Sequence, residues 1–133
     1  MSGARVIVLA RSGEPDRLRF LAEYVAAQLS LGREVDLFLS GGALSSFLHR
    51  DRRGGPAPGE RREAGRDVDA DDENPWDLVE RARGVGLCRL LACSASAARE
   101  EVTRDELLSR LDDVVGLAAL LARAGAGDVQ VVF

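Results

Sequence analysis

The stretch Arg5-Val-Ile-Val-Leu-Ala10, followed by Ser12-Gly13 and Pro15, decides the class of fold. From Val6 to Ala10 every position is apolar, with no polar alternation. Such a run predicts a short strand buried on both faces, the kind found in parallel sheets covered by helices. Ser12-Gly13 supplies turn chemistry, and Pro15 stands where a first helical residue tolerates the missing N–H. Residues 15 to 31 then read as a helix with two apolar stripes. Leu18, Leu21, Ala22, Val25 and Leu29 form one face at helical spacing. Phe20, Tyr24, Ala27 and Leu31 form a second face, roughly opposite. A helix lying on a sheet needs only the first stripe. The second implies contact with another subunit, or side packing by neighbouring elements.

Working outward, Gly32 ends the helix and Glu34-Val-Asp-Leu-Phe-Leu-Ser40 reads as the second strand. Gly41-Gly42 turns into a short apolar helix from Ala43 to His49. Residues 51–75 differ in character, holding 13 of the 40 formal charges, three prolines and little apolar surface. That composition does not offset the entropy of ordering, and it reads as a long mobile loop inserted in one domain. Asn74-Pro75-Trp76-Asp77 restarts a helix with a capping Asn, Pro at its first position and an acid in its first turn. Val85 to Ala92 reads as a third strand leading into Cys93. Thr103-Arg-Asp-Glu106 is a capping box opening another helix. Val114-Val115-Gly116 reads as a very short strand, Leu117 to Ala124 as the last helix, and Asp128 to Phe133 as the final strand. Strands alternating with helices imply an open, mostly parallel α/β sheet with helices on both faces.

The 133 residues suit a single domain, and 46% hydrophobic content is enough for a core without staples. Composition removes many functions. The chain has no lysine, which excludes a Schiff-base lysine and a Walker-type phosphate loop. A single histidine, His49, excludes multi-histidine metal sites, and no metal is expected. A net charge of -4 and six aromatic residues argue against nucleic-acid binding. No apolar stretch approaches the ~20 residues of a membrane span, and residues 1–5 lead into a strand without a signal-peptide core. Cys88 and Cys93 are too few for a secreted disulfide framework, so a cytoplasmic protein with reduced thiols is expected.

Five residues apart in one strand, the two cysteines point to opposite faces, with Cα atoms ~16 Å apart against a disulfide limit of ~7 Å. Cys88, between Leu87 and Leu90, reads as a buried, inert thiol. Cys93 stands at the carboxyl end of a parallel strand, where open α/β sheets place their ligand sites. Ser94-Ala-Ser-Ala-Ala-Arg99 follows it, so Ser94, Ser96, Arg99 and backbone N–H groups are candidates to stabilise a thiolate. A small packed hydrophobe is the other reading of Cys93. Ser12, Gly13, Gly41, Gly42 and His49 are candidates to stand nearby at the same end of the sheet. The glycine turns also admit a small-ligand or nucleotide module, although no G-x-G-x-x-G follows the first strand.

The order of these pieces resembles the DsrE/DsrF-like family. The resemblance rests on Val6 to Ala10, Leu31-Gly-Arg-Glu-Val35, Val35 to Leu39 with its Gly-Gly turn, Gly86 to Arg99, Val114-Val-Gly-Leu117 and Asp128 to Phe133. It implies a three-layer α/β/α sandwich with a five-stranded, mostly parallel sheet, assembled as a trimer or hexamer. It also implies a cofactor-free sulfurtransferase that carries sulfane sulfur as a persulfide on Cys93, between a sulfur-donor and a sulfur-acceptor protein. In the absence of such chemistry the same fold implies a non-catalytic oligomeric interaction subunit. The chain departs from the family pattern after Arg99, with Glu100-Glu101 where sulfur carriers usually have Gly.

Overall fold

A computed structural model describes residues 5–50, 74–85, 87–125 and 128–133. The charged insertion expected at 51–75 lies outside the described residues except for its last two positions. The element order is β1 (Arg5–Ala10), α1 (Pro15–Ser30), β2 (Glu34–Leu39), α2 (Gly41–Leu48), α3 (Pro75–Arg83), β3 (Cys88–Cys93), α4 (Ser94–Ala97), α5 (Arg104–Arg110), β4 (Asp113–Val115), α6 (Leu117–Ala122) and β5 (Val129–Val132). The five strands form one parallel sheet in the order β4-β3-β2-β1-β5. The fold is a three-layer α/β/α sandwich, as the alternation of elements predicts.

The connections explain the layers. From β1 to β4 the chain steps always in one direction, and right-handed crossovers keep their helices on one face. The last step, β4 to β5, runs back past β1 and puts α6 on the other face. Side chains follow this division. Val6, Val8, Val35, Leu37, Leu39 and Leu90 join α1, α2, α3 and α5 in the larger core. Ile7, Phe38, Leu91, Cys93 and Val115 meet Leu120 of α6 in a smaller one. No helix among the described residues is long and apolar enough to cross a membrane.

Local signals account for the helix ends. Asn74 Oδ1 accepts the Trp76 N–H at 2.8 Å, and Thr103 and Glu106 form the complete capping box. Several boundaries differ from the sequence reading: the last helix ends at Ala122, β5 spans Val129–Val132, and two differences lie at the site end or edge of the sheet. α2 begins at Gly41, so the glycine pair forms its first turn. β3 begins at Cys88, not Val85. β2 begins at Glu34 and its register pairs Val35 with Cys88, so the earlier residues have little strand to pair with. Val85 and Leu87 are exposed ahead of the strand, and the Leu87 carbonyl accepts the Val35 N–H at 2.9 Å.

Candidate functional site

The carboxyl ends of the strands bring the expected residues together. Gly13, after β1, and Gly42, after β2, touch backbone to backbone. A Cβ on Gly13 would meet the Gly42 carbonyl oxygen at 2.7 Å, and one on Gly42 would meet the Gly13 nitrogen at 2.9 Å. Neither position has room for a side chain, so mutual packing accounts for both glycines. Ser40 ties the turn to β1 by donating its hydroxyl to the Ala10 carbonyl at 3.1 Å. The Ser12 hydroxyl accepts the Glu14 N–H at 3.0 Å and shapes the entry to α1.

Cys93 ends β3 and caps α4. Its neighbours connect to the other turns. Gly41, in the left-handed region at φ +50°, donates its N–H to the Ser96 hydroxyl at 3.0 Å. The Ser94 hydroxyl stands 3.5 Å from where a side chain on Gly116 would begin. The turns after β2 and β4 therefore meet the first residues of α4, and the turn after β1 packs on the β2 turn. Cys93 as a residue is only 8% exposed and belongs to the smaller core with Ile7, Phe38, Leu91, Val115 and Leu120. Its opposite-face relation to Cys88 is as the strand spacing predicts, since Cys88 packs against the larger core. Cys88 is the first residue of β3, not a mid-strand one, and burial pushes its thiol up to about 12 in spite of the Arg83 charge.

Arg99 and His49 lie elsewhere at this end. They line a cavity of about 310 Å³ with Glu100, Glu101 and Val102. His49 Nε2 lies 3.3 Å from Glu100 Oε1, which gives this histidine a specific partner. On α1, the second stripe divides. Tyr24 is half-buried, and both it and Phe20 stack on Phe133, with ring centroids at 5.3 and 5.7 Å. Phe20 remains 57% exposed and Leu31 66% exposed, and Ala27 is exposed between them. Side packing by the chain end thus explains part of the stripe and leaves the rest uncovered.

One cluster was not among the residues singled out from the sequence. Asp36, 3% exposed in the middle of β2, accepts three hydrogen bonds. Arg89 Nε donates to Oδ1 at 3.0 Å, Arg89 Nη2 to Oδ2 at 2.9 Å, and Arg5 Nη1 to Oδ2 at 3.0 Å. Burial raises the carboxyl pKa, but the bonds from Arg89 and Arg5 outweigh it and hold the group below its ordinary value. The available signal was a lone acid inside an apolar strand, since such a residue needs a partner. No group of three or more His, Cys, Asp or Glu able to hold a metal ion occurs among the described residues. Compared with protein-family models and with curated proteins, the chain matches none.

Proposed function

We propose that this chain is an intracellular sulfur-relay protein that carries sulfane sulfur as a persulfide on Cys93. The observation that carries the proposal is the place of Cys93. It ends β3 at the carboxyl edge of the sheet and opens α4, whose first residues meet the turns after β2 and β4. In the transfer, the Cys93 thiolate attacks the outer sulfur of a donor persulfide. A Cys93 S–S bond forms, the donor S–S bond breaks, and the donor leaves as a thiolate. Oxidation states balance between the two partners, and no cofactor takes part. Access to the buried sulfur requires α6 to give way. Of its six residues only Leu120 is buried, so little apolar contact opposes that motion.

Intact mass after incubation with a small persulfide donor tests this. Wild type is expected to gain about 32 Da, one sulfur atom by the transfer chemistry above, and Cys93→Ser to gain none. No gain in wild type, or an equal gain in Cys93→Ser, would sink the relay.

A second reading, a non-catalytic oligomeric subunit, is favoured by the burial of Cys93 and by exposed Phe20 and Leu31. Homo-oligomer formation is common to both readings. Because Tyr24 also packs on Phe133, Phe20→Asp with Leu31→Asp is the cleaner probe of the α1 stripe. By light scattering, the double variant is expected to shift an oligomer to monomer. A wild type that is already monomeric refutes the interface.

A further inference from the structure

We propose that Arg5 and Arg89 form a binding site for a tetrahedral oxyanion of the phosphate or sulfate class. The site lies towards the amino ends of β1, β2 and β3, on the face that also carries Cys93. Four residues along β3 separate Arg89 from Cys93, ~13 Å at strand rise, so the two sites do not share atoms.

Three observations converge. The two guanidiniums share one buried carboxylate, which leaves one positive charge in excess at Asp36. The three bonds to Asp36 use three of the ten N–H donors that two guanidiniums carry. They also hold both arginines in place, so a ligand does not have to order them. Finally, the Nε–H of Arg5 is buried and has no hydrogen-bond partner among the described residues. A buried donor left in this state is costly, and an ion satisfies it once the Arg5 side chain shifts to present it.

A cavity of about 500 Å³ opens on this cluster, lined by Arg5, Asp36 and Arg89 with Glu34, Leu87 and Cys88. Its size admits a small anion with its water. Asp36 already occupies the planar, two-oxygen partnership with Arg89. What remains is donors from two guanidiniums on different strands, which suits an acceptor with oxygens in several directions. The carboxylate of Glu34 on the rim opposes an anion and cancels the excess charge of the lining, so binding rests on directed guanidinium donors, which favours an oxyanion such as sulfate or phosphate over chloride.

Isothermal titration of the full chain with sodium sulfate and with inorganic phosphate, in chloride buffer at constant ionic strength, tests the site. One saturable site is expected for both probes, since they share shape and charge. Arg5→Gln leaves the two-bond Arg89–Asp36 pair intact and is expected to weaken binding about tenfold or more. Glu34→Gln, which removes the opposing carboxylate, is expected to tighten it, and Cys93→Ser to leave it unchanged. Absence of a saturable site, or an Arg5→Gln chain that binds like wild type, overturns the proposal. Should Arg5→Gln fail to fold, Glu34→Gln decides alone, and an affinity that does not rise counts against the site.

Discussion

Trp76→Ala is expected to destabilise the protein by about 3–5 kcal/mol, the cost of truncating a fully buried aromatic side chain. Trp76 is 2% exposed at the start of α3 and belongs to the larger core. Its ring meets Phe47 of α2 edge-on, with centroids 5.3 Å apart and planes at 80°. Its indole Nε1–H donates to the Ser46 hydroxyl at 3.0 Å. The residue therefore fastens α3 to α2, on either side of residues 51–73 in sequence. Against a typical total of ~5–15 kcal/mol, the loss is about a fifth or more of the folded state's margin. Trp76→Phe keeps most of the ring and forfeits the hydrogen bond, so a smaller cost of about 1–2 kcal/mol is expected. Because the chain has a single tryptophan, urea unfolding followed by circular dichroism is the suitable measurement. A Trp76→Ala loss below ~1 kcal/mol would contradict the packing described.

The second large effect concerns Asp36→Asn. The amide keeps the carboxylate's shape but turns one acceptor oxygen into a donor facing guanidinium donors, and it removes the buried charge that neutralises them. Breaking a fully buried ion pair costs about 3–5 kcal/mol. Here Arg5 and Arg89 side chains are 34% and 47% exposed and regain water, so about 2 kcal/mol is expected. The pH dependence has a defined sign. The folded-state pKa of Asp36 is depressed, so the stabilisation is fully present above the unfolded-state value and fades as pH falls through the folded one. Wild type and Asp36→Asn should differ by a constant amount from neutral pH down to about pH 4, and converge below it. Urea denaturation at pH 7 and at pH 3 checks both points. A difference under ~0.5 kcal/mol at pH 7, or one that persists undiminished at pH 3, would contradict this account.

The candidate site was legible where the signal was local. Cys93 at a strand end, Ser96 after it and the two glycine turns are all marked by short-range chemistry, and the structure brings them to one end of the sheet. Arg99 and His49 were less legible, and they line a cavity with Glu100 at the same end of the sheet. The difference has a physical source. α4 ends at Ala97, and the chain then turns towards α2, a direction that depends on what His49 and Glu100 find in space.

What the residues alone determined is the alternation of strands and helices. An unbroken apolar run, a helical stripe and a capping box each act within a dozen residues, so their meaning does not wait for the rest of the chain. Only the tertiary structure decided the order β4-β3-β2-β1-β5, the burial of Cys93 beneath Leu120, and the meeting of Asp36 with Arg5 and Arg89. Those bonds join positions 31 and 53 residues apart. Hydrophobic periodicity states which face of a strand is buried, but not which strand lies beside it or in what register. In this chain that neighbour relation buries the candidate thiol and turns a lone strand carboxylate into an ion cluster.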